Sequence, residues 1–177
     1  KTNENGEEEW SQTFGGIESE NSHSVQQTTD GGYIITGSTR SFGNGETDIY
    51  LIKTNESGVE EWSLTYGEEF FEIGNSVQQT LDGGYIIGSN IGMIKIDENG
   101  QEEWVNLVSG TSIQQTLDGG YIVTGFTSGN GGDIHLTKTD GNGIEEWVKT
   151  FGGNEDDVGH SVQQTTDGGY IITGYKK

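Results

Sequence analysis

The chain has 177 residues, enough for one domain with a sizeable core, and no cysteine, so neither disulfides nor thiolate metal sites contribute. Eight basic against 29 acidic residues leave a formal charge of −21, which repels nucleic acid and anionic membranes and attracts cations. No run of about 18 apolar residues is present to span a membrane and no basic-then-apolar signal peptide opens the chain, so membrane insertion is not expected.

The opening, residues 1–10, matches residues 53–62 and reads as the end of one strand, a turn and the start of the next, which predicts sequence upstream of Lys1. A phrase then begins that is written four times. Gln-Gln-Thr-Thr-Asp-Gly-Gly-Tyr-Ile-Ile-Thr-Gly starts at Gln26 and returns with small changes at Gln78, Gln114 and Gln163. In its first copy, residues 24–28 form an expected strand, Asp30-Gly31-Gly32 a hairpin turn and residues 33–38 the partner strand. A loop at 39–47 leads to a third strand at 48–53, a turn at 55–58 and a fourth strand at 60–66. The second copy, 76–104, has almost no loop between its second and third strands, and the third, 112–147, has an intermediate one at 127–132. Such tolerance of length places this connection on the surface. The fourth copy starts at Ser161 and holds two strands.

Equivalent tryptophans, Trp10, Trp62, Trp104 and Trp147, recur at intervals of 52, 42 and 43 residues, the period of propeller blades. Ile, Val, Leu and Phe make up only 38 of 177 residues, a low content, but they are phased into short runs beside Gly, Asn and Asp turns as packed strands require. The expected fold is therefore all-β: a small β-propeller of four blades with four antiparallel strands each, the last blade shared between the N- and C-terminal segments. The expected layout is a single repeat domain over 1–177, with a closing strand at 1–15 and blades at 22–66, 75–107, 111–151 and 160–177.

Four elements of the repeat carry a resemblance: Asp-Ile-Tyr-Leu-Ile-Lys-Thr at 48–54, the Asn-x-x-Gly-x-x-x-Trp of 55–62, Thr-Phe-Gly-Gly at 150–153, and the Ser-Val-Gln-Gln-Thr-x-Asp-Gly-Gly-Tyr phrase. Together they resemble the β-propeller repeats of large secreted and surface proteins of bacteria and archaea, over essentially the whole chain. The resemblance implies an extracellular or cell-surface scaffold or adhesion module with no catalytic residues. The second copy departs from the pattern, lacking the Asp before its third strand and the Thr-Phe-Gly-Gly segment.

Several residue sets invite chemistry. Glu-Glu-Trp occurs at Glu8, Glu60, Glu102 and Glu145, but neighbouring residues of a strand face opposite sides, so each pair should not converge on one substrate as glycoside hydrolysis needs. The tryptophans, and Tyr33, Tyr85, Tyr121 and Tyr170, read as packing between sheets rather than as sugar platforms. The paired glutamines from Gln26, Gln78, Gln114 and Gln163 read as hydrogen bonds between blades. His23 and His160 share a repeat position, His135 lies on a third strand, and no Ser-His-Asp spacing stands out. No catalytic residue, cofactor or established metal site is expected. Zinc is not expected, and for calcium the candidate ligands are Asp140, Asn142, Asp156 and Asp157.

The expected function is a non-enzymatic extracellular or cell-surface interaction module that presents its loops to protein or glycan. The loops at 41–46, 68–72 and 128–132 carry the binding candidates Phe42, Asn44, Phe70, Phe71 and Asn130. Two alternatives stand beside it. One is a self-assembling structural subunit, a filament or surface layer built by strand donation between chains. The other is a carbohydrate-active enzyme, for which Glu69, Glu72 and Asp157, the carboxylates that do not recur in every copy, would be tested first.

Overall fold

The computed structural model describes residues 1–127 and 131–177, and among them every regular element is a strand. The chain divides into two compact units, Lys1–Gly74 and Asn75–Lys177. The first unit holds one antiparallel sheet in the order β1 (Glu20–Gln27), β2 (Tyr33–Thr39), β3 (Asp48–Thr54), β4 (Glu60–Tyr66). From the last residue of the first unit onward, β5 (Gly74–Gln79), β6 (Tyr85–Ser89), β7 (Met93–Ile96) and β8 (Glu102–Asn106) form another sheet, which belongs to the second unit from Asn75. It is followed by β9 (Ser112–Gln115), β10 (Tyr121–Phe126), β11 (Ile134–Thr139) and β12 (Glu145–Phe151), and by a two-stranded sheet of β13 (Val158–Gln164) and β14 (Tyr170–Tyr175).

Each sheet grows from the same local chemistry. At the first hairpin Thr28 N–H donates to Gly32 O, and the Asp30 carboxylate accepts from the Thr28 hydroxyl and the Gly32 amide. Gly31, at φ 88°, supplies the left-handed residue such a turn needs. The same turn recurs at Asp82, Asp118 and Asp167. The inner strands then read as continuous apolar runs because both faces are covered, as in β3, where all seven residues are buried.

The first strands start earlier than the sequence suggests, at Glu20, Gly74 and Val158, where alternation had placed their starts at 24, 76 and 161. A bulge is the reason in two of them: the register against the partner strand slips at His23 in β1 and at His160 in β13, so the apolar alternation breaks although pairing continues. A second repeated bulge lies between third and fourth strands. Lys53 pairs with Trp62 and Thr54 with Glu60, leaving Glu61 extra; Glu103 and Glu146 are left extra in the same way.

Within the second unit the sheets pack face to face. Ile86 and Met93 bury against Ile113, Tyr121 and Val123, with Trp104 and Val108 at the margin. Ile122 and Leu136 bury against Val162, with Trp147, Tyr170 and Ile172 beside them. Each tryptophan reaches the tyrosine of the following copy: Trp104 meets Tyr121 edge-on at 5.8 Å between centroids, and Trp147 meets Tyr170 at the same distance. In the first unit the opening segment, held by a bridge between Thr2 and Glu8, places Trp10 on Tyr33 at 5.7 Å in the same manner.

Candidate binding rim and charged sites

Two loops of the first unit lie side by side. Thr47 N–H donates to Phe70 O, Glu72 N–H donates to Thr47 O, and Thr47 bridges Phe71 as an isolated parallel pair. This ties the loop at 41–47, a long insertion relative to the second copy, to the loop at 67–72. Phe70 is 75% exposed, and Phe42 and Phe71 are exposed too. Arg40 lies over the Phe71 ring at 5.5 Å and donates its Nε–H to Thr47 Oγ1, while Phe42 leans on Tyr50. Asn44, exposed, donates its backbone amide to Asp48 Oδ1. Four of the five binding candidates are thus carried on one pair of loops, and Asn130 lies outside the described residues.

No family model matches the chain, and no curated protein does. The chain is similar to a solved structure, a protein of unknown function from Bacteroides caccae, with a TM-score of 0.55 and 17% identity. The alignment covers 72% of this chain and 47% of that one, so the chain spans less than half the length of its neighbour. At this identity the likeness concerns the fold alone.

The Glu-Glu-Trp segments resolve into a repeated ion-pair triad that sequence reasoning missed. Lys53, Lys95 and Lys138 are buried, and each donates its ammonium to the carbonyl of the next residue. Each also pairs with the hairpin aspartate and with the bulged second glutamate: Lys53 with Asp30 and Glu61, Lys95 with Asp82 and Glu103, Lys138 with Asp118 and Glu146, all within 3.1 Å. Hydrogen bonds from Lys53 and from the Thr28 hydroxyl hold the Asp30 carboxyl down at about 2. The Thr116 hydroxyl, the Gly120 amide and Lys138 do the same for Asp118, also at about 2, against the opposing effect of burial. The signal was present: in a chain with eight basic residues, Lys1, Lys53, Lys95 and Lys138 share one repeat position. Lys1 pairs with Glu9, the counterpart of the Lys53–Glu61 half of the triad.

The glutamines join neighbouring copies as expected. Gln115 N–H donates to Gln78 Oε1 and Gln164 N–H to Gln114 Oε1, both at 2.6 Å, while Gln115 Oε1 accepts from Leu81 N–H. The histidines are likewise absorbed by the fold. His23 Nδ1 lies 3.1 Å from Gly74 O, His160 stacks obliquely on Tyr175, and His135 contacts Thr137 Oγ1, burial holding its pKa below the ordinary value.

Of the calcium candidates, Asp140 serves its turn, accepting from the Asn142 and Ile144 amides, bonds that hold its carboxyl below the ordinary range. Asp156 accepts from the Gly131 and Gly132 amides. Among the described residues no group of three or more His, Cys, Asp or Glu gathers as a metal cluster. Asp157 differs: it is fully buried, Oδ1 accepts from the Lys177 amide, and Oδ2 has no partner. Glu72 also has a buried, unpartnered oxygen, whereas Glu69 is exposed on the rim.

Two apolar surfaces remain open. A groove of about 620 Å³ in the first unit is lined by Trp10, Val25, Tyr33, Ile35 and Ile52 among others. Val25 is 65% exposed, although its counterparts Val77, Ile113 and Val162 are buried. On the last sheet Ile171 is 57% exposed, although Ile34, Ile86 and Ile122 at the same repeat position are fully buried.

Proposed function

We propose that this chain is a non-enzymatic interaction module of the extracellular or cell-surface kind, whose sheets are propeller blades and whose loop rim at 41–47 and 67–72 binds protein or glycan. The observation that carries the reading is Phe70, three-quarters exposed beside Phe42 and Phe71 on loops tied together by backbone hydrogen bonds. Exposed aromatic rings on braced loops offer large contact area at small ordering cost, the usual composition of a binding hot spot. The repeated carboxylates have a structural employment, which supports the non-enzymatic reading: in three of the four Glu-Glu-Trp segments one Glu reaches a buried lysine and the other faces solvent, and in the first Glu9 pairs with the exposed Lys1.

A triple variant, Phe42→Ala, Phe70→Ala and Phe71→Ala, should lose retention of the wild-type partners on a glycan array or a panel of surface proteins, with Tm unchanged. Equal retention by wild type and variant, no retention by wild type, or loss of binding and folding together would refute the rim.

A second reading, self-assembly, is favoured by the open faces at Val25 and Ile171. The triads support it as well. Lys1 and Glu9 form a pair without an aspartate, and among the described residues Asp167 has no lysine, so the opening segment and the last hairpin carry complementary parts of one blade.

A further inference from the structure

We propose that the protein holds two calcium ions at equivalent places in the repeat, one between Asp48 and Glu72 and one between Asp133 and Asp157. In each place an aspartate at the head of a third strand meets an acid five residues after a glycine, Gly67 in the first case and Gly152 in the second. A Cβ on Gly67 would collide with Asp48 Oδ1 and lie 2.8 Å from Glu72 Oε2. A Cβ on Gly152 would collide with Asp133 Oδ1 and lie 2.6 Å from Asp157 Oδ2. One small volume therefore touches both carboxylates at each place, and glycine keeps it open.

Three of the four oxygens that face these volumes lack protein partners, the exception being Asp48 Oδ1. Glu72 is 5% exposed and Asp157 0%, and the buried side-chain atoms without a hydrogen bond among the described residues are Glu72 Oε2, Asp133 Oδ1 and Asp157 Oδ2. The polar contacts these acids do make are few: the Asn44 amide on Asp48 Oδ1 and the Lys177 amide on Asp157 Oδ1. The cations close by are engaged elsewhere. Arg40 donates to Thr47 Oγ1, Lys176 donates to Gly152 O, and neither forms an ion pair with the four acids. Two carboxylates side by side, with a buried acid in each pair presenting a bare oxygen to the shared volume, call for a cation between them. Hard carboxylate donors without nitrogen or sulfur select calcium, which completes its shell of six to eight oxygens at roughly 2.3–2.6 Å with main-chain carbonyls and water.

The repeat itself provides an internal control. In the second copy Asn90 stands five residues before Lys95, where Asp48 and Asp133 precede Lys53 and Lys138, and no acid lies between Leu107 and Gly110, so both carboxylates are missing together. Glu20 stands five residues after Gly15 without an aspartate partner, and there protein donors serve it, with Thr39 Oγ1 donating at 3.0 Å and the Gly16 amide at 3.4 Å. An ion at Asp48 and Glu72 would also clasp the roots of the two rim loops, a consequence that rests on the proposed rim, whereas the sites themselves do not.

The test is equilibrium dialysis of the whole chain against calcium in 150 mM KCl with magnesium present, which suppresses loose binding to a surface of charge −21. Wild type should retain two ions, and 10 mM calcium over EDTA should raise Tm by roughly 5 °C or more. Asp48→Asn with Glu72→Gln should retain one ion, as should Asp133→Asn with Asp157→Asn. No retained calcium, no change in Tm, or a stoichiometry indifferent to the substitutions overturns the proposal. The wild-type measurements decide even where a variant fails to fold, and array binding by the phenylalanine variant reports on the rim separately.

Discussion

At the scale of single residues, the buried lysines explain why so acidic a chain retains its few cations where it does. Lys138 is 3% exposed, but Asp118 and Glu146 keep 62% and 48% of their side chains in water. The asymmetry decides which truncation hurts. Lys138→Met leaves two carboxylates that can turn to solvent and should cost about 1 kcal/mol. Asp118→Asn with Glu146→Gln strands an ammonium in the interior and should cost about 3 kcal/mol or more, read from urea midpoints. Acid supplies a second readout. Asp118 is harder to protonate folded than unfolded, so its contribution is present above the ordinary value of 3.8 and disappears as pH falls toward about 2. The stability gap between wild type and Asp118→Asn should close over that interval.

At the scale of elements, one repeat position has two environments. Ile113 lies in the packed face between two sheets, while Val25, its counterpart on β1, is open. Ile113→Asp should therefore cost more than ~3 kcal/mol, and Val25→Asp in dilute protein should change stability by less than ~0.5 kcal/mol. Calorimetric melting of the two variants checks the contrast. No sequence pattern separates these positions, because both present a β-branched apolar residue at the same place in the first strand of their copy; what differs is the neighbour. The strands and hairpins were legible because period-two alternation and Asp-Gly-Gly turns are local signals. The bulges at His23 and Glu61 were not, since one inserted residue leaves composition unchanged and breaks the period on which strand boundaries depend. The rim was legible as loops of variable length, although not as two loops bonded to each other. The acid pairs emerge only when Asp48 is set beside Asp133 and Glu72 beside Asp157, because the partners in each pair are far apart along the chain.

At the scale of the whole molecule, the sheet-to-sheet contact inside the second unit tells what the open faces would accept. There Ile122 of β10 buries against Val162 of the following first strand. Ile171 occupies the Ile122 position on the last sheet and Val25 the Val162 position on the first, so the two exposed surfaces are the two halves of that same contact. A second copy joining Ile171 to Val25 would bury both in a heterologous, head-to-tail interface, and such an interface can extend without closing. It would also shelter the edge of β14, which no strand in its sheet covers. Sedimentation equilibrium should then show mass rising with concentration, and either Val25→Asp or Ile171→Asp should hold the protein at monomer mass. Mixing the two variants is the decisive step, since each retains one intact face: the pair should form a dimer and grow no further. A wild type that remains monomeric at every concentration, or a mixture that never leaves monomer mass, rules out assembly through these faces.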